Sequence, residues 1–164
     1  MENPNYTIRR VTVSDAATIA RHRVGMFRDM GQVPTDALAD ALLESSTSAL
    51  AESLCADAYV GWFAVDDNDR VLAGAGVDVK RQLPRISHDG RRVLTEPIPV
   101  VVNVYTEPDC RGRGIARALM RALMNWAGSH DYDRLVLHAS DAGRALYLSL
   151  GFLPTNEMRW SPAD

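Results

Sequence analysis

The stretch from Val100 to Arg117 constrains the fold more than any other part of the chain. Its first half is rich in valine, which predicts a strand buried on much of both faces. Pro108 should end this strand, because proline has no N–H to donate to a β-ladder. An Arg-Gly-Arg-Gly turn at 111–114 follows, and a helix is predicted from about Gly112 to Ala127. Because helix N-termini carry unpaired N–H groups and a positive dipole end, this arrangement favours binding of phosphate oxygens.

Three phosphate-binding patterns compete for the glycine turn. A P-loop requires a Gly-Lys-Ser or Gly-Lys-Thr ending, which the chain lacks. The dinucleotide pattern G-x-G-x-x-G begins at Gly112 and Gly114, but Arg117 stands at its last glycine, and no acidic residue follows at a predicted strand end ~20 residues on. The third pattern, R-x-x-G-x-G/A, is matched in full by Arg111, Gly114 and Ala116. From the turn alone, an ordinary glycine turn that caps a helix is an equal alternative.

Composition excludes several broad classes of protein. The 164 residues are 46% hydrophobic and 24% charged, which is ordinary for one globular domain, and we expect that domain to span 1–164. The net charge of −3 gives no reason to expect nucleic acid or an anionic membrane as a partner. No apolar run approaches the ~18 residues of a membrane span, and the N-terminus lacks a signal-peptide core. Cys55 and Cys110 suggest neither a disulfide framework nor a metal site, so we expect a cytoplasmic, metal-free protein.

The whole chain predicts strands and helices in the order βααββ followed by βαβαβ. A serine-rich stretch at 44–48 should bend or break the second helix, because these residues form helices poorly. Gly74 and Gly76 suggest a β-bulge or a close backbone approach. The fold class is therefore α/β (α+β), with a mixed central sheet of about six to seven strands flanked by about four helices. The predicted elements are strands at 6–13, 58–65, 70–79, 100–106, 133–139 and 152–160, helices at 14–30, 35–54, 112–127 and 142–150, and a loop at 80–99 with a short hairpin around Asp89-Gly90.

A second motif lies at 146–152, where the sequence is Leu-Tyr-Leu-Ser-Leu-Gly-Phe. It is similar to L-Y-x-x-x-G-F, and together with the R-x-x-G-x-G/A turn and the order of elements it resembles the GCN5-related N-acetyltransferase (GNAT) superfamily. The resemblance covers nearly the whole chain. It implies the GNAT fold, acetyl-CoA as the cofactor, and acetyl transfer to an amine of a small molecule, with a protein or peptide amine as the alternative acceptor. The chain departs from the pattern at Ser140, where many members have asparagine, so only one hydroxyl is offered to the pantetheine arm.

The resemblance also implies which residues hold the coenzyme. Val104, Tyr105 and Thr106 would offer backbone groups to the pantetheine amides, with Ser140 and Tyr147 beside the same arm. The residues around the pyrophosphate would be Arg111, Gly112, Arg113, Gly114, Ile115 and Ala116. Arg117 would lie near the 3′-phosphate or the pyrophosphate, and a solvated helix face is an equal alternative for it.

Tyr147 is implied as the general acid, because the tyrosine of this motif often protonates the coenzyme thiolate. An amphipathic core tyrosine is the alternative. The base is unresolved, since the position that holds a glutamate in some family members falls at about Val100, which is apolar. His138 is the first candidate, because histidine has an intrinsic pKa near neutrality, although a lone strand histidine is more often structural. The other candidates are Glu96, Asn103 through a water molecule, and Glu157.

The acceptor pocket should come from the first two helices, the 80–99 loop and the last strand. The substrate-binding candidates are Met26, Phe27, Met30, Asn103 and Glu157. The apolar members of this set would otherwise be ordinary core residues.

Two other functions stay open at this stage. A catalytically weak coenzyme A-binding sensor or structural protein of the same fold would account for Ser140 and the unassigned base. A nicotinamide-binding module is more remote, because Arg117 replaces the last glycine of its pattern. Cys110 beside the turn leaves a ping-pong thiol mechanism as a minor alternative, and Trp160 with other apolar residues near the C-terminus could pair edge strands in a homodimer.

Overall fold

A five-stranded sheet forms the centre of the computed structural model, which describes residues 5–162. The strands along the chain are β1 (Thr7–Arg10), β2 (Tyr59–Val65), β3 (Val71–Lys80), β4 (Arg85–Ile86), β5 (Val93–Leu94), β6 (Ile98–Thr106) and β7 (Val136–Leu137). The α-helices are α1 (Ala16–Asp29), α2 (Asp36–Cys55), α3 (Ile115–Ser129) and α4 (Asp141–Ser149). The central sheet has the order β1-β2-β3-β6-β7, in which only the β6–β7 pair is parallel. The predicted mixed α+β fold with four helices is confirmed.

Helices cover both faces of the sheet, because its central strands bury alternate residues on opposite sides. In β2, Phe63 belongs to the apolar cluster under α1 and α2, whereas the next residue, Ala64, belongs to the cluster under α3. Each large apolar side chain contributes about 1.5–3 kcal/mol when it is fully buried. The fully buried large side chains of α3 are Ile115, Leu119, Met120 and Leu123.

The second helix is unbroken, contrary to the predicted bend or break at 44–48. α2 continues from Asp36 to Cys55 through the serine-rich stretch. Thr47 Oγ1 donates a hydrogen bond of 2.7 Å to the Leu43 carbonyl one turn earlier, so this hydroxyl bonds within the helix. Ser46 and Leu50 are buried at the inner face, and this tertiary packing outweighs the weak intrinsic helix propensity of serine.

The glycines of the turn shift the start of the third helix. α3 begins at Ile115 rather than at the predicted Gly112, because Gly112 and Gly114 have φ values of +76° and +75°, outside the helical region. Gly31, with φ +69°, follows the end of α1 as predicted. The short hairpin predicted around Asp89-Gly90 is also present, since β4 and β5 pair on either side of it.

The predicted last strand is absent from the described part of the chain. Residues 152–162 contain no strand, although Phe152–Trp160 had the composition of one. Pro154 has no N–H for a ladder, and most of this segment is exposed, including Trp160 at 84%. The strand predicted at 133–139 is reduced to Val136 and Leu137, which pair with Val100 and Val101. β6 therefore continues beyond the end of β7. A gap separates the last residues of β6 from the segment that follows β7.

The bulge predicted from Gly74 and Gly76 is confirmed in the β3–β6 pair. Gly76 pairs with Val102 and Gly74 pairs with Tyr105, so one residue of β3 faces two residues of β6. A Cβ on Gly76 would lie 1.9 Å from the Tyr59 hydroxyl oxygen, so only glycine fits there.

No helix within residues 5–162 combines the length and the apolar character that crossing a membrane would require.

Candidate active site

A cavity of about 1120 Å³ occupies the gap where β6 and β7 separate. The end of β6 forms one wall and the segment from His138 to Ser140, which follows β7, forms another. All of the residues predicted to contact the coenzyme line this one cavity: Val104, Tyr105, Thr106, Arg111, Gly112, Arg113, Gly114, Ile115, Ala116, Arg117, Ser140 and Tyr147. Two motifs that lie far apart in the sequence therefore meet at the same site.

The glycine turn forms an open cradle at the start of α3. Gly114 is the N-cap of α3 in the left-handed conformation, and it has no side chain to satisfy the first N–H groups of the helix. The space that a Cβ on Gly112 or Gly114 would enter is open, with no atom within 4 Å. Free N–H groups, a helix dipole and open space are what a diphosphate needs. The residues present therefore fit the pyrophosphate of an acyl-coenzyme A.

The three arginines of the turn have different surroundings. Arg111 Nη2 donates to Asp29 Oδ2 at 2.5 Å and Arg111 Nε donates to the Thr106 carbonyl at 3.0 Å, so this side chain ties the turn to α1. Arg117 Nη2 donates to Ser149 Oγ at 2.8 Å. Arg113 has no hydrogen-bond or ion-pair partner among residues 5–162. The positive charge available for a phosphate therefore comes from Arg113 and Arg117 more than from Arg111. The hydrogen bond between Arg111 and Asp29 could not be predicted from the sequence.

Tyr147 lies on α4 with its ring above Gly143, four residues earlier. A Cβ on Gly143 would come within 2.8 Å of Tyr147 Cε2, so glycine makes room for the ring. Phe152 packs edge-on against it, with the ring centroids 6.0 Å apart. Burial raises the pKa of Tyr147 above its ordinary value, so the hydroxyl keeps its proton at neutral pH. The group is thus suited to donating a proton and unsuited to accepting one.

Ser140 lines the cavity and also caps the N-terminus of α4. It is the N-cap of α4, and its Oγ accepts a hydrogen bond of 3.2 Å from the Gly143 N–H. The hydroxyl proton of Ser140 is not used by this bond. One donor therefore remains for a ligand in the cavity.

His138 and Glu157 form an exposed side-chain contact at the edge of the cavity. His138 Nε2 contacts Glu157 Oε2, and the side chains are 61% and 56% exposed. His138 lines the cavity, and Glu157 holds it from the C-terminal segment without lining the cavity itself. Arg159, two residues further on, also lines the cavity. Sequence patterns gave no reason to select Arg159, because nothing local marks its segment as part of a site.

The predicted substrate-binding residues divide into two groups. Met26 and Met30 line the cavity together with Asp29, because residues three and four apart share one face of α1. Phe27 does not line it, since each residue turns about 100° around a helix, and its ring lies 4.8 Å from the Arg23 guanidinium instead. Asn103 is also outside the cavity lining and is 5% exposed, with its Oδ1 accepting a 2.7 Å hydrogen bond from Arg23 Nη1.

A second histidine, which the sequence did not single out, joins α1 to the segment after β6. His22 is 1% exposed, and its Nε2 lies 3.2 Å from Glu107 Oε1. Burial lowers the pKa of His22 to about 4, and the nearby Arg21 charge acts in the same direction. The neutral ring therefore donates from Nε2–H to Glu107, while Nδ1 has no hydrogen-bond partner. Neither residue lines the cavity, so the pair supports its wall rather than its chemistry.

Cys110 lines the cavity but is poorly suited to nucleophilic attack. Its side chain is buried, and burial raises the pKa of the thiol, which keeps it protonated. Residues 5–162 contain no group of three or more His, Cys, Asp or Glu side chains that could hold a metal ion.

Comparisons with known proteins agree with this geometry. The sequence matches the acetyltransferase (GNAT) family over residues 27–152. The fold is similar to a GCN5-related N-acetyltransferase from Ralstonia eutropha JMP134, with 30% identity over 97% of this chain and 99% of that chain and a TM-score of 0.83. It is also similar to a predicted acetyltransferase from Clostridium acetobutylicum, solved with acetyl-CoA, with 25% identity over 97% and 96% of the two chains and a TM-score of 0.77. No curated protein sequence matches the chain.

Proposed function

The chain belongs to the acetyltransferase (GNAT) family, and from this premise we propose that it transfers the acetyl group of acetyl-CoA to the amine of a small molecule. The observation that carries the proposal is the single cavity that joins the glycine turn to Tyr147 across the end of β6. Bound acetyl-CoA would supply a thioester that is activated for transfer. The remaining chemistry falls to the residues of the chain.

Backbone groups do most of the binding in this proposal. The N–H groups from Gly112 to Ala116 hold the pyrophosphate, with charge supplied by Arg113 and Arg117. Beyond Val101, β6 has no strand partner on the side of β7 among residues 5–162. Its free edge at Val104–Thr106 therefore pairs with the pantetheine amides as another strand would.

His138 is the proposed general base. A lysine-like amine has a pKa of ~10.4, and holding it neutral at pH 7 costs about 4.6 kcal/mol. With Glu157 accepting from Nε2–H, the unprotonated Nδ1 of His138 can take the proton that the amine loses. Met26 and Met30 form an apolar wall that excludes water from the acceptor.

Tyr147 is the proposed general acid. Burial raises the pKa of Tyr147, which keeps its hydroxyl protonated and available as a donor, although complete transfer to a thiolate whose thiol has a pKa of ~8.5 is uphill. Tyr147 donates its proton to the departing sulfur during the transfer, when negative charge builds up on that atom.

A coenzyme A-binding sensor without catalysis is the second candidate. Ser140 favours it, because this hydroxyl stands where many family members have an amide and is already engaged as an N-cap. This candidate predicts coenzyme binding with no acetyl transfer to any amine.

The first experiment is a thermal shift with acetyl-CoA, coenzyme A and NAD in parallel. A ligand at ~100 times its Kd adds about 2.7 kcal/mol, or several degrees for a domain of this size. Gly114→Ala should lose this shift, because its Cβ enters the cradle and its φ is +75°. Gly128→Ala, with open space and no positive φ, is the matched control and should keep it.

A release assay for coenzyme A with a panel of amines follows. A shift with coenzyme A and release with at least one amine supports the transferase. A shift without release supports the sensor. The absence of any shift with acetyl-CoA and coenzyme A contradicts both.

A further inference from the structure

The strand that lines the cavity changes register at Asn103. Val102 pairs with Gly76 and Tyr105 pairs with Gly74, so Asn103 and Val104 together face only Ala75. Asn103 has φ +56°, a left-handed conformation that β-branched residues avoid and asparagine tolerates. The bulge therefore depends on the residue type at this position.

The bulge changes which way the following residues face. Val102 packs in the cluster under α1 and α2, and Asn103 contacts Arg23 of α1, so two successive residues face the same side. In a regular strand they would face opposite sides. Without the extra residue, every side chain after it would turn to the other face. Tyr105, which packs against His22 of α1, would then leave that helix.

Two distant elements hold the Asn103 side chain. Arg23 Nη1 of α1 donates to Oδ1 at 2.7 Å, and Nδ2 donates to the Tyr59 hydroxyl of β2 at 3.5 Å. Tyr59 is itself fixed, because its hydroxyl occupies the space over Gly76. Both ends of the buried amide are therefore satisfied by partners outside β6.

We propose that Asn103 is a positioning residue, which Arg23 and Tyr59 hold in the left-handed conformation so that the backbone of Val104–Thr106 keeps its direction into the cavity. The inference rests on the proposed function and adds a residue to it. Asn103 was predicted to contact the substrate, whereas here it acts on the strand edge that receives the coenzyme. The same contact links that edge to α1, which also carries Met26 and is followed by its C-cap residue Met30.

The test compares Asn103→Val, Asn103→Asp and Asp131→Val. Valine opposes the positive φ and makes neither hydrogen bond, whereas aspartate tolerates the conformation and still accepts from Arg23. Asp131 has the same φ of +56° in an exposed loop after α3, so Asp131→Val imposes the same backbone strain away from the cavity. Kinetics use acetyl-CoA and the best amine of the panel, at a temperature where every variant is folded.

We expect kcat/KM to fall on the order of 100-fold in Asn103→Val, less than about fivefold in Asn103→Asp, and not at all in Asp131→Val. A second readout is the ¹⁵N–¹H spectrum during titration with coenzyme A. The amides of Val104–Thr106 should shift alike in the wild type and Asn103→Asp, and differently in Asn103→Val. If Asn103→Val does not fold, Arg23→Gln replaces it, with an expected loss of about tenfold.

The outcomes separate this inference from the proposed function. A wild type that binds no coenzyme A overturns both. A wild type that binds and transfers, with folded Asn103→Val or Arg23→Gln equal to it in kcat/KM and in the spectra, overturns the role of Asn103 alone. A loss of melting temperature without a change in kcat/KM would mean that Asn103 serves stability only.

Discussion

Two histidine–glutamate pairs join the same kinds of atoms in opposite surroundings. The His22 side chain is 1% exposed and lies against Glu107 between α1 and the end of β6, whereas the His138 side chain is 61% exposed and contacts Glu157 at the cavity. Burial forces the first ring to stay neutral, because a buried charge loses its hydration. The second ring is open to solvent and to a ligand in the cavity. The comparison shows that access to solvent, rather than the partner, separates a structural histidine from a candidate catalytic one.

The largest expected effect concerns His22 and the pH dependence of stability. The unfolded chain takes up a proton at the ordinary histidine pKa of 6.5, and the folded chain only at about 4. The unfolded state therefore binds more protons in between, so the free energy of unfolding falls as pH drops from 6.5 to 4 and is fully retained above 6.5. The expected loss is about 3 kcal/mol.

Urea unfolding between pH 7.5 and 4.5 measures this loss. His22→Gln should flatten the pH dependence, since glutamine can still donate to Glu107 and does not titrate. His138→Gln is the matched control, because it removes a histidine whose side chain is exposed instead of buried. Equal slopes in His22→Gln and the wild type would show that burial of this ring does not control the acid sensitivity.

The same His138→Gln variant gives the second prediction, on catalysis. Loss of a general base lowers rates by ~10²–10⁴-fold. Because His138 is exposed, we expect a loss near the smaller of these two values. We expect kcat to fall on the order of 100-fold, with coenzyme A affinity unchanged and the acidic limb of the pH–rate profile lost. Steady-state kinetics with the best amine measure this. Retained activity with an intact acidic limb would assign the base elsewhere.

Tyr147→Phe should have a smaller effect, because protonating a thiolate is an easier task than deprotonating an amine. We expect kcat to fall at least about tenfold while coenzyme A binding is kept. Tyr132→Phe is the control, since the Tyr132 ring packs against Trp126 of α3, at 5.3 Å between centroids, and does not line the cavity. An unchanged rate in Tyr147→Phe would remove this residue from the mechanism.

The part of the cavity lining formed by the glycine turn could be predicted from the sequence, because these residues are neighbours in the chain. Glycine is favoured at Gly112 and Gly114 by their positive φ, and a glycine turn before a helix leaves free N–H groups that can bind anions. Most strands and helices could also be predicted, because the periodicity of apolar residues is a local property of the sequence. The errors at α2 and at 152–160 arose where tertiary contacts, or their absence, decided the outcome.

Contacts between side chains that lie far apart in the chain could not be predicted from the sequence. Arg111 and Asp29 are 82 residues apart, and Arg23 and Asn103 are 80 apart. Asn103 was predicted as a candidate base through a water molecule and as a candidate substrate contact. Gly74 and Gly76 predicted the bulge, but nothing in the sequence joins Asn103 to Arg23 and Tyr59, so its role in the bulge needed the structure.

Glu157→Gln gives the smallest expected effect and tests the comparison most directly. An exposed ion pair contributes about 1 kcal/mol or less, so if Glu157 only orients His138, kcat should fall by at most about fivefold and the effect should shrink at high salt. Glu44→Gln, an exposed residue on α2, controls for the loss of one negative charge. A loss near 100-fold, equal to that of His138→Gln, would contradict the weak role. It would mean that a bound ligand buries the His138–Glu157 pair. His138 would then be shielded from water as His22 is.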